Sequence, residues 1–198
     1  MWIGAPGGVR SMPSVIGSGR MMIFIDGENL VFRYQESIEE GKTPRDDIVH
    51  IRDVFVWNPG FSTSTRGFSI IRANYYTSSI GSEQKLSEIK EKIRNQQFSA
   101  PRHGGPFINP LDRLPSYLSP IVFKRSSDTR QSKGVDIQMT VDILSHVYKN
   151  NVEAIYIMTG DGDFLPIIEE VLRQGKQVYL SAFSSGLNRA YPVDADTH

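Results

Sequence analysis

Four aspartates stand where an α/β protein would place its chemistry. Asp26 opens Asp26-Gly27-Glu28-Asn29 directly after the apolar run Met21–Ile25. Asp161 and Asp163 flank Gly162 just after a second strand-like run, Glu153–Met158. Asp136, in Lys133-Gly134-Val135-Asp136, sits near the start of a stretch with helical spacing. In an open α/β sheet, ligands bind beyond the carboxyl ends of the strands. If the first and fourth strands are neighbours, three parts of the chain deliver carboxylates to one place. Oxygen-only ligands of this kind suit Mg2+ or Mn2+. Crowded carboxylates also repel, so a cation would neutralise the group it binds.

Each acid also has a purely structural reading. Asp26-Gly27 is a good turn after a strand. Asp163 lies where a helix N-cap belongs, with Pro166 tolerated in the first turn. Asp136 would complement the dipole of its own helix. Asp161 is harder to explain that way, because Asp163 already fills the cap. It is the coincidence of these acids at expected site positions that argues for function.

Strand and helix signals alternate along the chain that carries them. After Met21–Ile25, a helix is expected over about Glu28–Glu40, stopped by Gly41, and a second over Asp46–Val56. Phe68–Thr77, rich in β-branched and aromatic residues, reads as the second strand. Glu83–Gln97 is an amphipathic helix with Leu86, Ile89 and Ile93 on its buried stripe. Residues 98–119 shift to Pro, Gly and Ser and read as a long surface loop. Pro120–Lys124 is a short third strand. Val135–Lys149 is a helix with Ile137, Val141, Leu144 and Tyr148 along one face. Glu153–Met158 is the fourth strand, Asp163–Arg173 a helix ending at Gly175, and Gln177–Ala182 the fifth strand. The tail from Ser185 has room for one more helical turn. This alternation implies α/β architecture, a mostly parallel five-stranded sheet between helices on both faces.

The 198 residues suffice for a single domain over 21–198, preceded by a Gly/Ser/Pro-rich flexible leader over 1–20. Composition is that of an ordinary globular protein, 39% hydrophobic and 22% charged. Formal net charge is zero, so any attraction for nucleic acid must come from local patches. Cysteine is absent, which removes thiolate nucleophiles and cysteine-ligated zinc and fits a cytoplasmic setting. No apolar run approaches a membrane span, and no membrane partner is expected.

Three blocks, IDGENL at Ile25–Leu30, KGVDIQMTVDIL at Lys133–Leu144 and TGDGDFLPIIEEVLRQGKQVYL at Thr159–Leu180, resemble the NYN domain family, a PIN-like metal-dependent ribonuclease fold. The resemblance implies a three-layer sandwich with parallel strand order 3-2-1-4-5, which sets the first and fourth strands side by side. It also implies metal-dependent RNA hydrolysis. The family's metal-binding aspartates fall on Asp26, Asp136 and Asp161, with Asp163 as a fourth, and Asn29 matches the polar residue after the first acid. Asp142 matches the family pattern too. Six helical steps carry it well round the helix from Asp136, so it reads as a supporting acid.

Under this reading Asp26 and Asp161 are the direct ligands of one or two Mg2+ or Mn2+ ions. Asp136 and Asp163 act through water or position the nucleophile, and Asn29 orients a ligand or phosphate. The four histidines are scattered and receive no role. RNA, single-stranded, would be attracted by the net-basic middle of the chain. There Arg125, Arg130 and Lys133 lead directly into Asp136 and would contact phosphate without reading sequence. Arg102, His103 and Phe107 of the long loop, with Tyr75 and Tyr76, offer stacking surfaces for bases. Oligomeric state is left open, a homodimer included. Two rivals stand beside this reading. One is a non-catalytic domain that binds RNA or protein. The other is a nucleotide-sugar enzyme using Asp161-Gly162-Asp163 as a DxD element, which leaves Asp26 and Asp136 unexplained. The chain lacks GxxxxGK[ST] and GxGxxG, which argues against an NTPase or dinucleotide enzyme.

Overall fold

Met21, Met22, Ile23, Phe24 and Ile25 are each no more than 3% exposed, as a strand covered on both faces requires. They form the centre of β2 (Gly19–Asp26) in a computed structural model of the chain that describes residues 2–5, 19–61, 68–99, 115–126 and 133–183. The remaining strands are β1 (Trp2–Ala5), β3 (Val49–Ile51), β4 (Phe55–Trp57), β5 (Phe68–Ser79), β6 (Gln97–Ser99), β7 (Pro115–Lys124), β8 (Ala154–Met158) and β9 (Gln177–Phe183). The helices are α1 (Gly27–Glu39), α2 (Glu83–Arg94), α3 (Lys133–Tyr148) and α4 (Leu165–Arg173).

β2 pairs in parallel with β5 on one side and β8 on the other; β5 then pairs in parallel with β7, and β8 with β9. The fold is therefore mixed α/β with a mostly parallel sheet. It is wider than the five strands expected: among the described residues seven strands run β1-β9-β8-β2-β5-β7-β6, because two antiparallel strands cover its edges. One is Trp2–Ala5, within the expected leader, and the other is Gln97–Ser99, which takes the last residue of the expected helix and the first two of the expected long loop. Such pairing satisfies backbone groups that a bare edge leaves open. The third parallel strand also begins earlier than expected, at Pro115. Residues 100–114, and the tail from Ser185, lie outside the described residues.

Period-two alternation sorts β2 between two cores. Met21, Ile23 and Ile25 face a layer containing Leu30 and Val31 of α1, Phe55 and Trp57 of β4, and Ile89 and Ile93 of α2. Met22 and Phe24 face Val135, Met139, Ile143 and Val147 of α3 with Ile168 and Val171 of α4. Helices thus cover both faces of the sheet. No described helix is long and apolar enough to cross a membrane.

Two expectations fail here for identifiable reasons. The helix expected over Asp46–Val56 is a hairpin, β3–β4, with Val49 opposite Trp57 and Ile51 opposite Phe55. Its three-residue loop turns at Asp53, which adopts φ 58, the left-handed conformation such loops use. Ile48, Ile51, Val54 and Phe55 fit helical spacing equally well, but β-branched and aromatic residues burying Phe55, Val56 and Trp57 against α1 decide for strand. In α3 the stripe Ile137, Val141, Leu144, Tyr148 is not the buried one; the core takes Val135, Met139, Ile143 and Val147.

Candidate active site

β2 and β8 end level with each other, Ile25 opposite Met158, so Asp26 and Thr159 leave the sheet side by side. A small hydrogen-bond circuit then stitches the two loops together. Thr159 Oγ1 donates to Asp26 Oδ2 at 2.7 Å and accepts from the Asp161 backbone N–H at 3.1 Å. The Asn29 backbone N–H donates to Asp26 Oδ1 at 3.0 Å, making Asp26 the N-cap of α1. Asn29 Oδ1 in turn accepts from the Gly160 N–H at 3.0 Å. Asn29 therefore fixes the loop that carries Asp161.

The loop after β8 runs Gly160-Asp161 into a single 3-10 turn, Gly162–Phe164, before α4. Here the expected division of labour is reversed. Asp161, not Asp163, is the cap, its Oδ1 accepting from the Asp163 N–H at 3.0 Å. α4 starts at Leu165 with no side-chain cap. Asp163 is left exposed, with its backbone rather than its carboxylate used for structure.

Asp26 is 2% exposed, and burial pushes its carboxyl up to about 7. The hydrogen bonds from Asn29 and Thr159 oppose that rise, while the charges of Asp136 and Glu28 add to it. Asp136 lies in the first turn of α3 with its side chain reaching solvent. Its carboxyl is pushed up to about 6, first by partial enclosure in the surrounding protein and then by Glu28, Asp161 and Asp163. The acids of three separate segments therefore feel one another.

Glu28 is the residue that sequence reasoning passed over. It lies in the first turn of α1, accepts a hydrogen bond from the Ser78 hydroxyl, and raises both Asp26 and Asp136. Its signal was available: a second carboxylate, two residues after Asp26 in the same post-strand segment. Asp142 accepts from Tyr76 Oη at 2.8 Å and from Gln138 Nε2 at 2.9 Å, so it is a supporting acid. Tyr76 is the β5 residue in register with Asp26, which makes this bond a tie from the strand beside Asp26 to α3.

Other expected contacts are relocated. Tyr75 and Tyr76 are both 0% exposed and cannot stack on bases; Tyr75 Oη donates to the Val56 carbonyl at 3.2 Å. Arg125, at the carboxyl end of β7, directs Nη2 to the Asp53 carbonyl at 3.4 Å. Arg130 and the side chain of Lys133 lie outside the described residues, as do Arg102, His103 and Phe107. An open hollow lined by Ser69, Arg72, Phe98 and Tyr117 lies along the amino-terminal half of β5, away from the acids.

The donor set fits a hard divalent cation in chemistry: carboxylate oxygens only, mutually repelling, one of them desolvated. As the side chains stand, no three acidic or histidine residues among the described residues are close enough together to hold an ion.

A family model described as NYN domain matches residues 20–196. An uncharacterized protein of Methanocaldococcus jannaschii is 36% identical over 62 residues, 31% of this chain and 26% of that protein. The matched segment is thus about a quarter of that relative's length. The crystal structure of a Vibrio parahaemolyticus protein of unknown function aligns over 90% of this chain and 89% of that one, with TM-score 0.49 and 15% identity.

Proposed function

Since the chain belongs to the NYN domain family, whose members carry a PIN-like nuclease fold, we propose that it is a divalent-metal-dependent ribonuclease working at the acids around Asp26. The observation that carries this reading is Asp26 itself. It is a nearly fully buried carboxylate at the end of a central strand, raised to about 7, and burdened further by Asp136 and Glu28. An arrangement that costs stability without a cation is what a metal site looks like when empty of charge compensation.

Asp26 and Asp161 would hold Mg2+ or Mn2+, each oxygen that accepts a backbone or hydroxyl proton keeping a second lone pair for the ion. Asp136 and Asp163, whose side chains reach solvent, would swing toward that centre to complete the set or to hold water beside it. Bound there, the cation supplies charge against the phosphodiester and acidity to water. Asp136, whose side chain reaches solvent beside these acids, would accept a proton from the attacking water. The bonds from Asn29 and Thr159 keep Asp26 in one rotamer, so the ligand geometry is preorganised. RNA is the substrate class that the family suggests. Arg125, Arg130 and Lys133 are the phosphate-contacting candidates.

Purified protein incubated with labelled single-stranded and duplex RNA tests the proposal. Cleavage should require Mg2+ or Mn2+ and stop with chelator. Asp26→Asn and Asp161→Asn should each lower the rate by about 100-fold or more. Cleavage that survives both substitutions belongs to a contaminant, and binding of RNA without any cleavage would leave a regulatory RNA-binding domain.

A further inference from the structure

α3 carries two apolar stripes on opposite sides. Val135, Met139, Ile143 and Val147 are buried to 3% or less against the sheet. Ile137, Val141 and Tyr148 are 62%, 49% and 59% exposed, with Leu144 half-buried between them. Steps of about 100° per residue put this second set within roughly 60° of arc, on the side away from the core. Asp142, the one acid between Ile137 and Tyr148, is turned aside to Tyr76, and Thr140 and Ser145 complete the outward positions. From Ile137 to Tyr148, then, this side of α3 carries no charged side chain of its own, and at its end the Tyr148 hydroxyl donates to Glu170 of α4 at 2.9 Å.

A solvated helix face normally carries charged or polar residues. Large apolar side chains left in water forgo the stabilisation that burying them would give. The intervals along the stripe are 4, 3 and 4, the spacing of a seam between two helices. They also read the same from either end. A copy of α3 laid antiparallel therefore meets the stripe in register, with Ile137 against the partner's Tyr148 and Val141 against the partner's Leu144. Self-complementarity of this kind is what a two-fold interface needs. Three large apolar side chains about half or more exposed supply the apolar centre that an interface of about 800 Å2 per partner sets inside a polar rim.

We propose that two copies of this chain pair through the outward stripe of α3, antiparallel, about a two-fold axis between Asp142 and Ile143. The acids take no part in this contact, so the pairing stands or falls independently of the nuclease reading. At 1.5 Å per residue it would separate the two Asp136 residues by roughly 20 Å along the helices, placing one acid group toward each end of the seam.

Light scattering on the full chain, across a dilution series, reads the mass directly. The expected value is twice the chain's 22.3 kDa. Val141→Glu should return the single-chain mass while the far-ultraviolet spectrum and melting temperature hold, since the position faces away from the core. The register has its own test, because the chain contains no cysteine. Ile137→Cys mixed with Tyr148→Cys should form a disulfide-linked pair on oxidation. Neither variant alone should, because identical positions would lie roughly 16 Å apart across the axis. A chain that is monomeric throughout the series overturns the proposal, including the case in which residues 184–198 cover the stripe within one chain. So does a dimer that survives Val141→Glu, or cross-linking of Ile137→Cys to itself.

Discussion

At the scale of single residues, Asp26 and its neighbour Gly27 set the terms of the site. The folded protein holds the Asp26 carboxyl at about 7, well above its ordinary 3.8. A raised folded value means that the folded state keeps a proton the unfolded chain releases. The corresponding stability is complete below about pH 4 and drains away as pH rises through about 7. Metal-free Asp26→Asn, which cannot ionise, should therefore melt higher than the wild type at pH 8 and by much less at pH 5. Thermal melts in chelator at the two pH values check this; an equal difference at both would remove the buried charge from the argument. Gly27 is required by space. A Cβ there would lie 2.2 Å from Tyr75 Cε1 and 2.6 Å from the Tyr76 carbonyl oxygen. Gly27→Ala should destabilise by about 1–3 kcal/mol in urea unfolding, the usual cost of overpacking. The Asp-Gly pair looks like a turn in sequence, yet the glycine is needed for close approach of α1 to β5.

The hairpin β3–β4 and the helix α3 mark the limit of sequence reading at the scale of elements. Segments with one strong period were legible: β2, β5 and α2, with Leu86, Ile89 and Ile93 buried as their spacing implied. Segments that satisfy two patterns were not. Asp46–Val56 carries both helical spacing and β-branched alternation, and only packing against α1 separates them. α3 is apolar on both sides, so spacing alone selected the outward stripe. Asp161 and Asp163 were exchanged as caps for a similar reason, since a short 3-10 turn shifts the start of α4 by two residues from the expected Asp163 to Leu165. The tie from Tyr76 to Asp142 belongs to this scale, because it joins β5 to α3 and so helps to place Asp136 opposite Asp26. Tyr76→Phe deletes the donor and leaves the charged acceptor partly enclosed. It should lower stability by roughly 1–3 kcal/mol and weaken Mn2+ binding several-fold, measured by urea unfolding and by titration. Lost stability with unchanged Mn2+ affinity would make the bond a packing feature only.

The whole molecule sets side by side two strand ends more than a hundred residues apart in sequence, one carrying Asp26 and the other leading through Thr159 to Asp161. It does so because β2 and β8 are adjacent parallel strands ending at the same level. That adjacency is a property of the sheet, which no local pattern encodes; the alternation of elements implied only that such a sheet exists. The candidate site was legible only as a set of acids expected at strand ends. Glu28 and Thr159 were missed because their contributions arise from distance, not residue type. Net charge of zero also has a consequence at this scale. Affinity for RNA should depend on few phosphate contacts, and raising salt should weaken binding only modestly, with a logarithmic slope well short of −10. Filter binding across a salt series reads that slope, and a steep one would reveal a larger basic surface. The central claim, that these acids hold a cation, is tested most directly by diffraction from a crystal soaked in Mn2+ and measured above the manganese edge. The account predicts an anomalous peak roughly 2.0–2.5 Å from carboxylate oxygens of both Asp26 and Asp161. A crystal that takes up Mn2+ elsewhere, or nowhere, with those two carboxylates bare would contradict it.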